Sequence, residues 1–312
     1  MCILPLHVKI GSTPVPSPKP SISPIEEALR GVIDSAMSCT DVAMFFRAKL
    51  IDGSPIAIKT IRAYGISGSP AGKYQKRAAK ELYTWSKCKH PNVVSLMGLA
   101  VFRNTLAMIS LWEGNGNLLQ YLSTHPSTDR CRLSTSICAG LAYLHENQIV
   151  HGDLKGANVL ISEDGTPKLT DFGNAQLVEG TLQFTQTSTG PSYSPRWTAP
   201  EILKGKSAHT LAGDIYALGM TILEAFTGMV PFANKSDQAL YIQVGVKRQT
   251  PQRPQDIIPE TSIHGNVLWA ILLSCWSFNP KRRPSAKWVW DSMKLITPDN
   301  LKEIEDEPEE DE

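Results

Sequence analysis

The chain has 312 residues, a mass of 34.3 kDa and a formal charge of +1, from 31 Lys and Arg against 30 Asp and Glu. The near-neutral total conceals two opposite parts: residues 303–312 hold eight acidic side chains and no basic one, which leaves 31 basic against 22 acidic groups, or +9, on residues 1–302. With 42% apolar and 20% charged residues the bulk of the chain must fold, which excludes a wholly disordered or fibrous protein, and the length admits a core without metals or disulfides.

Cys2, Cys39, Cys88, Cys131, Cys138 and Cys275 are scattered, with no Cys-x-x-Cys pair and no His at zinc-ligand spacing. Neither a disulfide framework nor a structural metal is expected, and a reducing, cytoplasmic setting fits. The opening Met1-Cys2-Ile3-Leu4-Pro5 lacks the form of a signal peptide and of a myristoylation start, and no stretch approaches the ~18 apolar residues that span a bilayer. No membrane association follows from it.

Taken in order, Pro14, Pro16, Pro18, Pro20 and Pro24 make residues 1–24 an extended, disordered segment; the prolines recur at i, i+2, so no PxxP ligand is present. Residues 42–46 and 50–51, the turn pair Asp52-Gly53 and residues 55–58 read as a β-hairpin. A Gly/Ser-rich stretch (65–72) precedes residues 75–88, where Ala78, Leu82 and Trp85 recur at helical spacing. Strand-like runs follow at 93–101 and 105–112. Beyond Gly114 helical patterns dominate, at 118–122, 133–144, 215–226, 238–246, 267–276 and 286–293, with short strand signals at 159–161 and 168–170. An α+β architecture is expected: a small, mainly antiparallel β lobe with one helix, then a larger, mainly helical lobe.

The chemistry concentrates in His151-Gly152-Asp153-Leu154-Lys155-Gly156-Ala157-Asn158, followed 18 residues after Asp153 by Asp171-Phe172-Gly173. Here the sequence resembles the protein kinase superfamily, whose H-R-D-x-K-x-x-N loop and D-F-G triplet it matches except for Gly152 in place of Arg. Ile56-Ala57-Ile58-Lys59 resembles the V-A-I-K strand, Glu81 stands at the family's interval before His90-Pro91-Asn92, and Ala199-Pro200-Glu201, Asp214 and Arg283 follow in order. The resemblance covers about residues 31–296 and implies a two-lobed kinase-like fold, with lobes at 25–113 and 114–296 and an acidic, disordered segment at 297–312.

Moving a γ-phosphoryl group requires a cation on the phosphates, oxygen ligands for Mg²⁺ and a group that accepts or orients the attacking hydroxyl. The resemblance assigns these to Lys59, with Glu81 orienting it, to Asn158 and Asp171 for Mg²⁺, to Asp153 for the hydroxyl, and to Lys155 for the γ-phosphate. It places adenine between Val42, Ala57 and Leu160, beside a hinge at Ser110-Leu111-Trp112-Glu113 whose Leu111 and Glu113 backbones meet the base. Taken alone, Lys59 and Glu81 read as solvated charges and Asp171-Phe172-Gly173 as a turn; the ordered set makes them a phosphate site. His151 and Phe172 read as core, Asp214 as a buried strut that the resemblance makes an anchor of the catalytic loop, and Glu201–Arg283 as a structural ion pair.

The sequence departs from the family in two places. Ser35, Met37 and Thr40 fall where three glycines of the phosphate-covering loop belong, and residues 42–47 are about three residues longer than the stretch they match. Gly152 removes the arginine that pairs with an activation-segment phosphate, so activity independent of that switch is expected despite the hydroxyls Thr181, Thr185, Thr187, Ser188, Thr189, Ser192, Tyr193 and Ser194. Lys155 follows the Ser/Thr pattern, whereas Arg196-Trp197-Thr198 is similar to tyrosine kinases; the mixture resembles the tyrosine-kinase-like group. The reading is a Mg·ATP-dependent Ser/Thr kinase acting on protein substrates. The alternatives are a pseudokinase scaffold, suggested by the glycine-free lid, and a small-molecule kinase. Lys281-Arg282-Arg283 sits inside the matched region, so no nucleic-acid partner is expected, and no oligomeric state follows from the sequence.

Overall fold

The computed structural model describes residues 33–39, 43–61, 71–102, 105–178 and 194–301; residues 1–24, Thr40, Val42, 179–193 and 303–312 lie outside them. The chain divides into two compact units, one holding the described residues up to Ala78 together with Ser95–Trp112, the other Ala79–Val94 and everything from Glu113 onward.

The first unit is an antiparallel sheet of β1 (Ile33–Cys39), β2 (Ala43–Lys49), β3 (Pro55–Ile61), β4 (Leu96–Phe102) and β5 (Thr105–Leu111), in the order β1-β2-β3-β5-β4. The expected Asp52-Gly53 turn joins β2 to β3: Ser54 N–H donates to Asp52 Oδ1 at 2.8 Å and Gly53 adopts φ +85°. Leu50 and Ile51 fall in this turn rather than in a strand. Alternation puts Ile56, Ile58, Phe46, Ala48, Ala100, Phe102, Ala107 and Ile109 on one buried face. The opposite face of the same strands carries Ala57 and Lys59, with Arg47 and Phe45 as their cross-strand partners.

Two expectations are corrected here. Ser35 and Met37 belong to β1, which pairs with β2 out to Cys39 opposite Met44, so the chain reverses only between residues 39 and 44. Val93 and Val94 are not in β4 either: Val94 N–H donates to the Leu169 carbonyl and Leu169 N–H to the Asn92 carbonyl, both at 2.9 Å, which draws this pair into the second unit.

Helix α1 (Ala71–Ser86) starts four residues before the periodic run. The second unit contains α2 (Leu118–Thr124), α3 (Arg130–Glu146), the small ladders β6 (Ile149–Val150) with β9 (Gln176–Leu177) and β7 (Val159–Ile161) with β8 (Pro167–Leu169), then α4 (Pro200–Leu203), α5 (Leu211–Thr227), α6 (Asp237–Leu240), α7 (Ile263–Cys275) and α8 (Ala286–Met293). The helix expected at 238–246 is α6 continued as a π-helix, Tyr241–Val246, closed by Lys247 N–H to the Ile242 carbonyl; the wider turn keeps Leu240 and Val244 buried. Among the described residues no helix is long and apolar enough to cross a membrane. Cys88, Cys131, Cys138 and Cys275 are free, buried thiols, and burial pushes Cys88, Cys131 and Cys275 up to about 12.

Helix α5 is the centre of this unit, with Gly213 through Phe226 all buried. Thr210 caps it by accepting from Gly213 N–H at 3.0 Å. Two acids lie on this otherwise apolar rod, and both turn to one loop. Asp214 accepts the His151 and Gly152 amides at 2.7 and 2.9 Å, and Glu224 accepts the Gly156 amide at 2.8 Å. Burial pushes the Asp214 carboxyl upward, but the His145 imidazole 3.0 Å away and the two amides outweigh it and hold it below the usual range. Glu224 moves the other way: burial raises it to about 7 against its bonds from Gly156 and Trp197 and the attraction of Lys155.

Glu224 therefore keeps a proton in the folded state that the unfolded chain releases above about pH 4.5, so stability falls as pH rises from about 4.5 to 7 and then levels. Thermal unfolding of Glu224→Gln is expected to lose this part of the slope and to gain on the native chain by a Tm shift of several degrees at pH 8 relative to pH 5. Parallel pH profiles for the two proteins would contradict it.

Candidate active site

With its backbone fixed by α5, the loop after β6 directs three side chains to one point. Lys155 Nζ donates to Asp153 Oδ2 at 2.9 Å, and Asn158 Nδ2 donates to the Asp153 carbonyl and to Oδ2 at 2.8 and 3.2 Å. Ser194 completes the group, donating from Oγ to Asp153 Oδ1 at 2.8 Å while accepting from Lys155 Nζ at 2.7 Å. Asp153 and Lys155 are 14% and 22% exposed, so the pair is sheltered yet reachable from solvent. Asp153, Lys155 and Asn158 are thus brought together; Ser194 was read only as one hydroxyl of the segment before it.

The loop is tied to the triplet Asp171-Phe172-Gly173 on two sides. Thr170 N–H donates to the Asn158 carbonyl at 3.0 Å. His151 Nε2 donates to the Thr170 carbonyl at 3.1 Å, which fixes the tautomer and leaves Nδ1 to accept from the Asp153 amide at 3.3 Å. His151 and Phe172 are buried, as expected of core; the Phe172 ring stacks on Trp85 at 6.0 Å. Asp171 is held at φ 64°, ψ 73°, a left-handed conformation that costs a non-glycine residue energy, and its Oδ1 accepts from the Gly173 amide at 3.4 Å.

Gly152 has φ +81°, and a Cβ there would lie 2.8 Å from the Asn174 carbonyl oxygen and 3.2 Å from its Cβ. The position requires glycine on both counts. A water-sized cavity of about 20 Å³ opens beside it, lined by Asp153, Trp197, His209 and Asp214 among others. Burial lowers the His209 pKa against the pull of Asp214 and Asp153, which favours the neutral ring behind the catalytic loop. Gln176, two residues after Asn174, spends its side-chain amide on the His209 carbonyl at 2.7 Å.

The remaining expected residues divide between the units. In the first, Ala57 and Lys59 share the face opposite the core with their β5 partners Ser110 and Met108, and Leu111 ends β5 with 47% exposure. Val42 lies outside the described residues. Phe45, three residues on, is the β2 residue paired with Lys59, its ring 5.3 Å from Nζ; strand alternation counted back from Lys59 is the signal that points to it. In the second unit Leu160 on β7 pairs with Lys168, whose ammonium holds the buried Glu113 carboxylate at 2.8 Å. Lys59 and Glu81 are both withdrawn from water, at 7% and 3% exposure, which an ordinary solvated charge is not.

Glu224 and Trp197 were missed. Trp197 Nε1 donates to Glu224 Oε2 at 2.8 Å, the same oxygen that takes the Gly156 amide, and a Cβ on Gly156 would meet that carboxylate at 2.6 Å. The only sequence sign was a single acid inside an apolar helix. Arg283, expected to pair with Glu201, does so through two parallel bonds of 2.7 Å with its side chain fully buried.

The protein kinase domain family matches residues 42–293. The chain is 32% identical over 240 residues to mitogen-activated protein kinase kinase kinase 3 of Arabidopsis thaliana, covering 75% of this chain and 37% of that one. It is 26% identical over 252 residues to serine/threonine-protein kinase CTR1 of Arabidopsis thaliana, covering 78% and 29%. Similarity extends to the tyrosine-protein kinase transforming protein Fps of Fujinami sarcoma virus, at 28% over 242 residues, covering 75% and 26%. The chain thus spans between about a quarter and two fifths of the length of these relatives. The antiparallel sheet, the helical unit, the clustered loop residues and the matched span agree, and the chain belongs to the protein kinase domain family.

Proposed function

We propose that the chain transfers the γ-phosphoryl group of ATP to serine and threonine hydroxyls of protein substrates. The observation that carries this reading is the ring of Asp153, Lys155 and Ser194, in which an aliphatic hydroxyl already donates to Asp153 Oδ1 while the Lys155 ammonium donates both to Oδ2 and to that hydroxyl oxygen. An incoming hydroxyl has the second lone pair of Oδ1 to meet, in a geometry the protein shows to be comfortable. Asp153 orients that hydroxyl and takes its proton as the new bond forms. Lys155 offsets the negative charge that accumulates on the transferred group, and Asn158 keeps Oδ2 aimed. Lys59 is assigned to the α- and β-phosphates, with Glu81 as its orienting acid, and Ala57, Ser110, Leu111, Glu113 and Leu160 to the adenine.

Asn158 spends its amide hydrogens on Asp153 and so presents its side-chain oxygen, and Asp171 adds a carboxylate. Among the described residues no three His, Cys, Asp or Glu side chains gather as a metal site, so the protein offers a hard cation two oxygen ligands and leaves phosphate and water to supply the others. This donor set fits Mg²⁺, which when bound would neutralise phosphate charge.

Serine and threonine are favoured by Lys155, two residues after Asp153, whose ammonium is held beside the Asp153 carboxylate and the Ser194 hydroxyl. Gly152 supports turnover independent of a phosphate on the segment between Asp171 and Ala199: it offers no guanidinium, and its backbone leaves no room for one. A pseudokinase scaffold is the second reading, favoured by a β1–β2 turn without glycine.

Labelled ATP with Mg²⁺ and a generic Ser/Thr substrate separates the readings. The native chain is expected to transfer label, and Asp153→Asn and Asp171→Ala to lose at least ~100-fold in rate; no transfer, or equal transfer by all three, would support the scaffold. Full-length protein phosphorylated between residues 174 and 198 and the same protein treated with phosphatase are expected to agree in kcat/KM within about twofold. A gain of tenfold or more on phosphorylation would overturn the assignment made to Gly152.

A further inference from the structure

Behind the Glu201–Arg283 pair lies a groove of about 450 Å³ whose walls include Glu201, Lys206, Ser207, Thr210 and Lys281. No residue of the loop that carries Asp153 lines it. Its one carboxylate is spent: both Glu201 oxygens are held by Arg283, whose guanidinium also donates to the Ala212 carbonyl at 2.8 Å. Lys206 and Lys281 are exposed, and among the described residues neither pairs with an acid. The basic surface continues past the rim. Lys204, two residues from Lys206, and Arg248 both sit over the Phe278 ring, at 4.8 and 4.2 Å, and Lys247 is exposed beside Arg248. Among the described residues neither Lys204 nor Arg248 is ion-paired, and an acidic ligand would relieve the repulsion of two cations on one ring.

Residues 303–312, with eight acidic side chains and no basic one, match this surface in charge. They also start close enough to reach it. Asn300 is pinned where α7 begins, its carbonyl accepting from Ser262 Oγ at 3.2 Å. Phe278 follows the other end of that helix, which at ~1.5 Å per residue is about 20 Å long. Residues 302–312 span up to about 36 Å when extended. We propose that the groove and the Lys204–Arg248 rim form a docking site for carboxylate-rich segments, occupied in this chain by residues 303–312. The attraction is between solvent-exposed charges, so the site is occupied at low ionic strength and released by salt. It is independent of whether the chain turns over ATP.

Zero-length carbodiimide cross-linking of the full chain, followed by mass spectrometry, tests this directly, because it joins only carboxylates and amines already in contact. Links from Glu309, Glu310, Asp311 or Glu312 to Lys206, Lys281 or Lys204 within one molecule are expected at 20 mM salt, reduced at least fivefold at 500 mM. Lys206→Glu with Lys281→Glu should abolish them with an unchanged melting temperature, while Lys287→Glu with Lys294→Glu, on α8, should leave them intact. Links only to lysines elsewhere, links only between two copies, or none at low salt would each overturn the proposal.

Discussion

The second unit depends on one arrangement: two buried carboxylates on a single apolar helix, ten residues apart, accepting amides from one short loop. A loop of this kind has no ladder to satisfy its N–H groups, and three of them, at His151, Gly152 and Gly156, donate instead to the side-chain oxygens of Asp214 and Glu224. The rigidity of α5 is thereby passed to Asp153, Lys155 and Asn158, which need only short side-chain bonds among themselves to converge. The two acids are not equivalent. Asp214 has His145 beside it, whereas Glu224 has only neutral donors in contact, and their carboxyls move in opposite directions from the ordinary range. A buried acid with a value near 7, one bond from the loop, couples the stability of the site to neutral pH.

Glycine explains where this chain parts from its family. At Gly152 the left-handed backbone and the approach of Asn174 both exclude a side chain. At Gly156 the Glu224 carboxylate occupies the place of a Cβ, so the bond and the glycine require each other. In the β1–β2 turn the opposite holds: glycines expected of the family are missing, and β1, with register shifts between Ile33 and Ser35 and between Ala36 and Ser38, still pairs with β2 out to Cys39. Phe45 then supplies the face of Lys59 with an aromatic ring, a bulkier and less mobile cover than a glycine backbone.

Much of the fold was legible because its signals are local. The Asp52-Gly53 turn, the alternation of residues 55–58 and the helix at Ala286–Met293 were read from period and turn chemistry, which need no tertiary context. The ordered motifs located Asp153, Lys155 and Asn158, and the helical spacing of 215–226 located the strut that holds them. What escaped was long-range. Val93 and Val94 have strand propensity, but Val94 gives its N–H to Leu169 of β8, 75 residues away, and Val93 gives its N–H to His90. Ser194 and Glu224 act on the loop from 41 and 68 residues' distance, and neither carries a motif of its own.

The central claim, that α5 holds the loop through its carboxylates, is tested most directly by native-state hydrogen exchange at the amides of His151, Gly152 and Gly156. In the native chain these should exchange as slowly as the core amides of α5, and Asp214→Asn should release His151 and Gly152 by about tenfold or more while Gly156 stays protected. Exchange at the rate of an exposed loop in the native chain, or no change in Asp214→Asn, would contradict the account.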